Sequence, residues 1–400
     1  MTDNTIFTDE LFDAKSEAEL VELVKKLYNN VDHSIGYPVC QYPNMSGFGE
    51  WYTKTGLCDI ALNNFGNPYD GEQYSLSSTN IEKKVIETLA PYYGISEDIE
   101  WGFVTNSGTD GNMHGIYYGA KKLQKETGML PIVYVSKEAH YSSFRLCDVQ
   151  NLEARLIDFD SNGSMDLDCL KRSIDPSRPA LIIIAIGSTF MGAIDNQEGI
   201  QKVLDEVKPI GVYRHLDAAL FGGYLPFSKH KDIVSMEKQR YDSIAISGHK
   251  FFGIDEPCGL FLTRNDVIEA QTAYKVEYIH NDMPLVNCSR SGLAPLKFYW
   301  ILKQIGIDGL TKEANTIFEN TDYLQKKFDE INYPAWHMNY SNTIFFKRPA
   351  DWIIKKYTLS NGFLPKYGGE LSHIVVMQHV NQSIIDEFIN DLVSSQNQDK

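Results

Sequence analysis

Strand-length apolar runs and amphipathic stretches alternate along the middle of the chain. Trp101 to Thr105, Pro131 to Ser136, Arg155 to Asp158, Ala180 to Gly187, Gly211 to Asp217 and Ser243 to Ile246 are apolar runs of strand length. Between them, residues 113–125, 167–173 and 197–207 space their apolar positions as helices do. Strands that alternate with helices predict an α/β fold built on a mostly parallel sheet covered on both faces. Upstream, Ile81, Val85 and Leu89 mark an amphipathic helix within Ser78 to Tyr93, opened by Ser78, Thr79 or Asn80. Leu20, Leu23, Val24 and Leu27 form one stripe on a helix from Glu17 to Tyr28, which reads as a packing or dimer arm. Downstream, one long helical stretch from Pro295 to Phe328 precedes strands at Asn342 to Phe346 and Ser372 to Met377 and a helix from Gln382 to Leu392. These last elements read as a smaller domain. The expected division is an arm over residues 1–70, a large domain over 71–300 and a small C-terminal α+β domain over 301–400.

Two segments have no period. Gly36-Tyr37-Pro38 and the stretch through Asn63 to Tyr69 are rich in Gly, Asn, Pro and Tyr and must be mostly turn and loop. Such a segment either carries function or uses its aromatics to pin the arm to the body.

Composition narrows the class of partner. The formal net charge of -16 argues against a general basic surface for nucleic acid or anionic membrane. No apolar run has the length of a membrane span. Met1 to Glu19 is acidic and polar without the blocks of a signal peptide, so a cytoplasmic location is expected. The six cysteines are scattered with no CxxC pair, and no histidines have HExxH spacing, so no metal is expected.

Candidate chemistry collects at the carboxyl ends of the strands, where open α/β sheets place ligands. After Thr105 comes Asn106-Ser107-Gly108-Thr109-Asp110-Gly111-Asn112 and then a helix, so free amides and the positive end of the helix dipole face outward. An anion, most simply a phosphate, fits there. No Walker lysine follows, and GxGxxG is not matched. His140, Thr189 and Asp217 follow three further strands, and Ser247-Gly248-His249-Lys250 follows another. Lys250, between an imidazole and Phe251-Phe252, can lose its proton more readily than a solvated lysine, and a neutral amine forms a Schiff base. A plain surface lysine is the alternative. Asp217, beside Ala218 and Ala219, needs a partner if buried; a protonated pyridinium nitrogen is one, a nearby arginine another.

Together, Thr105 to Asn112, His140-Tyr141-Ser142, Ile186 to Thr189, His215 to Ala219, Ser247 to Lys250 and Pro257-Cys258-Gly259 resemble the group II pyridoxal-phosphate decarboxylases. The chain is most similar to the short bacterial histidine decarboxylases and the plant serine decarboxylases, and the likeness includes Asn63 to Pro68 and Ser372 to Met377. The resemblance implies the aspartate aminotransferase-type fold (fold type I), with a seven-stranded, mostly parallel sheet, and a homodimer with sites at the subunit interface. It implies pyridoxal 5'-phosphate held covalently by Lys250, with Asp217 at the ring nitrogen, His140 on one ring face and Ala219 on the other. Ser107, Gly108, Thr109, Ser247 and His249 would surround the phosphate, and Thr189 would lie near the ring oxygen. Tyr278 is a candidate proton donor, with a packing role as its alternative.

The implied reaction converts a free L-amino acid to its amine and carbon dioxide, histidine first and serine or another polar or cationic amino acid next. Decarboxylation with oxidative deamination to an aldehyde, and an inactive cofactor-binding relative, are the other readings; an aminotransferase fits the motifs less well. Three departures bear on the substrate. Asn67 stands where the family often has Asp. Asp255 and Glu256 follow the lysine turn, where they could attract a cationic side chain or face solvent. Arg290, in a family-like Ser-Arg-x-Gly, either meets a carboxylate or ties down its loop, and the loop from His280 to Asn287 is unlike that of relatives.

Overall fold

A computed structural model describes residues 17–71, 74–271, 274–276 and 281–398. The large sheet has seven strands: β1 (Glu100–Thr105), β2 (Ile132–Ser136), β3 (Ala154–Ile157), β4 (Ala180–Ala185), β5 (Val212–Asp217), β6 (Ser243–Ser247) and β7 (Gly259–Arg264). Their order is β1-β7-β6-β5-β4-β2-β3. β2, β3, β4, β5 and β6 pair in parallel, and β7 runs antiparallel to both β6 and β1. Every residue of β1, β2, β4 and β6 is buried, as expected of strands covered on both faces. β7 was not among the expected strands. It follows the lysine turn with no helix between, so the strand and helix alternation that exposed the others does not mark it.

The helices that bear on the site are α1 (Glu17–Val31), α2 (Thr79–Leu89), α3 (Gly108–Thr127) and α4 (Tyr141–Val149). α3 starts earlier than its apolar spacing indicates, because Ser107 caps it and accepts a bond from the Asp110 amide at 3.1 Å. α3 lies close on the sheet. A Cβ on Gly115 would stand 2.3 Å from the His215 ring, and one on Gly119 2.5 Å from the Tyr213 ring. Leu20, Leu23 and Leu27 of α1 are exposed.

The expected single helix from Pro295 to Phe328 is two, α5 (Leu293–Gln304) and α6 (Gly306–Glu330). The break falls at Gly306, whose φ of 62° is left-handed, while the apolar spacing runs across it unchanged. The second sheet has four antiparallel strands rather than two: β8 (Ala335–His337), β9 (Thr343–Lys347), β10 (Ser360–Leu364) and β11 (Gly369–Val375), in the order β8-β9-β11-β10. α6 and the final helix α7 (Gln382–Gln398) pack together beside it.

A buried ion pair fixes the irregular segment near residue 64. Arg290 Nη2 donates to Glu82 Oε2 at 2.8 Å and Nε to Oε1 at 3.2 Å, both side chains being 0% exposed. Glu82 also accepts from the Val104 amide and from Asn64 Nδ2, and Arg290 Nη1 donates to the Gly66 carbonyl. Arg290 therefore does both things expected of it: it meets a carboxylate and ties its loop to the body. Asp255 is exposed and Glu256 partly so, and both are engaged by one lysine. Lys297, itself buried, holds them at 2.6 and 3.3 Å.

Candidate active site

A cavity of about 820 Å³ opens beyond the carboxyl ends of the sheet strands. Ser107, Gly108 and Thr109 after β1, His140 after β2 and Thr189 after β4 line it. Asp217 and Ala219 at the end of β5, with Ser247, His249 and Lys250 at the end of β6, complete the same wall. Residues distant in sequence converge because each strand delivers its polar cluster to one edge. Tyr278 lies outside the described residues, as does His280.

The wall is close-set. A Cβ on Gly108 would stand 2.2 Å from Ser247 Oγ, so the first turn of α3 and the end of β6 touch. Gly248 lets the lysine turn fold back: its amide donates to the Cys258 carbonyl at 2.8 Å, and a Cβ there would lie 2.6 Å from both Cys258 Sγ and the Phe298 ring. His140 caps α4, its Nδ1 accepting from the Ser142 amide at 3.3 Å, which leaves the ring proton on Nε2. His249 Nδ1 donates to the Cys258 carbonyl at 3.2 Å.

Ionisable side chains of opposite sign share this wall. Burial pushes the Lys250 ammonium below the usual lysine range, and the Asp217 carboxylate pulls the other way. Burial likewise lowers His140, with Asp217 opposing and Lys250 adding to the shift. Asp217 is only 7% exposed, yet among the described residues no side chain makes a hydrogen bond or ion pair with it or with Lys250. A buried carboxylate in that state calls for a cationic partner from outside the chain.

The arrangement suits pyridoxal phosphate. The amides of Gly108 and Thr109 at the start of a long helix, with the hydroxyls of Ser107, Thr109 and Ser247, can receive a phosphate. Asp217 can take a protonated ring nitrogen, and Lys250 supplies an amine whose proton is easily lost. Among the described residues no group of three or more His, Cys, Asp or Glu could hold a metal, and no helix is long and apolar enough to cross a membrane.

The opposite wall comes from other parts of the chain. Gly36, Tyr37 and Pro38 reach it from the N-terminal arm, and Ser360 to Leu364 of β10 and His373 of β11 from the second sheet. His373 ties the two together, its ring nitrogens lying 2.8 and 3.1 Å from the Phe190 and Gly36 carbonyls. Glu138, two residues before His140, also lines the cavity; burial raises its carboxyl above the usual range, and no described residue pairs with it. Sequence reasoning missed Glu138, Asn112 as a lining residue and the β10 residues. For Asn112 the signal was its place in the phosphate turn; for β10 there was none, because that strand is short and half exposed.

Comparison with known proteins agrees. The conserved domain of pyridoxal-dependent decarboxylases matches residues 80–334. A histidine decarboxylase of Solanum lycopersicum is 32% identical over 94% of this chain and 88% of its own length. Serine decarboxylase 1 of Oryza sativa subsp. japonica is 31% identical over 92% of this chain and 73% of its own. A histidine decarboxylase of Vibrio anguillarum is 29% identical over 89% and 91%. Among solved structures, the L-methionine decarboxylase of Streptomyces sp. 590 superposes with a TM-score of 0.81 over 98% of both chains at 18% identity, a likeness of fold.

Proposed function

We propose that this chain, which belongs to the pyridoxal-dependent decarboxylase family, acts on histidine and releases histamine and carbon dioxide. Its class is that of the family: it is a pyridoxal-phosphate-dependent amino-acid decarboxylase with the type I fold. The observation that carries the reading of the site is the pair Asp217 and Lys250, held at one cavity edge with no partner among the described residues.

When bound, pyridoxal phosphate supplies the electron sink for the bond to the carboxylate that breaks. Ser107, Thr109, Ser247 and His249 would hold its phosphate, aided by the dipole of α3. Lys250 Nζ would hold the cofactor, and Asp217 would take its ring nitrogen. His140 and Ala219 would pack against its ring, and Thr189 would lie near the ring oxygen. Tyr278 is the candidate that returns a proton to the product carbon.

Histidine is favoured over serine by Glu138. A carboxyl group left unpaired in the cavity suits a side chain that presents an N–H, as imidazole does. The apolar stripe of α1, exposed in one chain, supports a homodimer, and the enzyme would work in the cytoplasm. The division into an arm (1–70), a cofactor domain (71–300) and a small domain (301–400) is consistent with a cavity walled by all three.

The test is an absorbance spectrum with added pyridoxal phosphate, for wild type and Lys250→Ala, followed by carbon dioxide release across the common amino acids. A bound-cofactor band lost in the variant, with gas from histidine, is expected. No band in wild type would overturn the assignment of the site; gas from serine alone would overturn the substrate, and aldehyde with ammonia would overturn simple decarboxylation.

A further inference from the structure

We propose that Asp110 is a positioning residue that braces the turn Ser107-Gly108-Thr109 from behind, and that Asn287, 177 positions on, holds it there. The inference rests on the proposed role of this turn as the seat of the cofactor's phosphate. A carboxylate in the first turn of a helix is favoured by the helix dipole, but beside a bound phosphate it repels. Asp110 is 8% exposed and does not line the cavity, whereas Ser107, Gly108 and Thr109 before it and Asn112 after it do. Its charge is kept off the cavity wall.

Asp110 bonds in both directions across the start of α3. Its amide donates to Ser107 Oγ at 3.1 Å, and its Oδ2 accepts from the Asn106 amide at 2.8 Å. An ordinary capping box returns the acid to the amide of the capping residue itself. Here the acid reaches one residue further back, so the Ser107 amide is not spent on it. The amides of Ser107, Gly108 and Thr109 make no hydrogen bond among the described residues. Successive free N–H groups at the start of a long helix are what a phosphate needs.

A remote segment grips the back of the turn at three points. Asp110 Oδ1 accepts from Asn287 Nδ2 at 2.5 Å, Asn106 Oδ1 from the Ser291 amide at 3.3 Å, and His114 Nε2 from the Val286 amide at 3.1 Å. The last contact fixes the imidazole. With Nε2 accepting, Nδ1 carries the hydrogen and donates it to the Asp110 carbonyl at 2.9 Å, with Oδ1 at 3.0 Å. Both carboxylate oxygens of Asp110 are therefore held by N–H groups, and none of residues 286–291 lines the cavity. Affinity for the phosphate thus depends on a segment that does not touch it.

The experiment is an absorbance titration with pyridoxal phosphate and, separately, with pyridoxal, which lacks the phosphate, paired with thermal unfolding of the cofactor-free protein. The chains are wild type, Asp110→Asn, Asn287→Ala, Asn287→Asp and the exchange variant Asp110→Asn with Asn287→Asp. Asp110→Asn has one oxygen where two are needed and should weaken affinity for pyridoxal phosphate about tenfold, the effect of one hydrogen bond to a charged group. Affinity for pyridoxal should stay within twofold of wild type. Asn287→Ala should cost severalfold, again for the phosphate form alone; this half-buried side chain decides the matter if Asp110→Asn fails to fold. Asn287→Asp, which sets two carboxylates against each other, should cost more. The exchange variant restores a carboxylate facing an amide and should bind better than either Asp110→Asn or Asn287→Asp. A purely structural role would lower the unfolding temperature and move both affinities together or neither. Asp110→Asn and Asn287→Ala within twofold of wild type, equal losses for pyridoxal, or an exchange variant worse than both single variants would overturn the brace alone. Wild type that binds pyridoxal phosphate no tighter than pyridoxal would overturn the phosphate seat, and wild type that binds neither would overturn the site assignment.

Discussion

Two acid and base sets in the molecule have been treated in opposite ways. Glu82 and Arg290 are both 0% exposed and joined by two hydrogen bonds, and Asn64, Val104 and Gly66 take up further positions on them. Asp217 and Lys250 are also enclosed, but no described side chain joins either, and both open on the cavity. In the first set the fold satisfies its own charges, and the result is a fixed loop. In the second it leaves them unsatisfied, which costs stability and preserves the reactivity of each group for a ligand.

Substitution should separate the two. Asp217→Asn should lower carbon dioxide release roughly a thousandfold, as expected when a preorganised charge is removed from a reaction site, with no fall in the urea midpoint of the cofactor-free protein. Arg290→Met should do the reverse, losing about 3–5 kcal/mol of stability because it strands the Glu82 carboxylate. If Asp217→Asn destabilised the cofactor-free chain as much as Arg290→Met does, the contrast would collapse.

A smaller effect concerns pH. Burial depresses Lys250 in the folded state, so between its folded and unfolded pKa values the unfolded chain binds more protons, and stability rises with pH through that window. Lys250→Met should therefore be more stable than wild type at pH 7 without cofactor, and the gap should narrow toward the unfolded lysine value of about 10.4. Denaturant titrations at pH 7 and pH 10 would measure it; a gap that widens would contradict the assigned direction. The smallest expected effect is at Glu138. Glu138→Gln should raise KM for histidine about fivefold and leave KM for serine unchanged, since only the former exchanges a charge-assisted hydrogen bond for a weaker neutral one.

How much of this was legible in the sequence depends on regularity. β1, β2, β4, β5 and β6 each announce themselves as an apolar run, and the polar clusters that follow are where the strands put them, so one wall of the cavity could be written down residue by residue. The facing wall could not. Tyr37 and Pro38 sit in a stretch without period, and Ser360 to Leu364 alternate only weakly, so nothing local says that these segments meet. The ion pair of Glu82 with Arg290 was half visible, as an arginine in need of a partner, because its acid lies 208 positions away. Gly306 was invisible as a break because the apolar spacing of α5 continues into α6.

The order of the large sheet has a consequence for biosynthesis. β1, which leads into the Ser107-Gly108-Thr109 turn, lies at the sheet edge with β7 as its neighbour, and Thr105 meets Gly259. A ribosome adding roughly 5–20 residues per second needs on the order of ten seconds or more to make the chain between them. Through that interval β1 has no neighbouring strand to bond to, and an open apolar edge is what chaperones bind and aggregates grow from. Yield in the cell should therefore be governed less by the finished protein's stability than by how well β1 is shielded until β7 emerges.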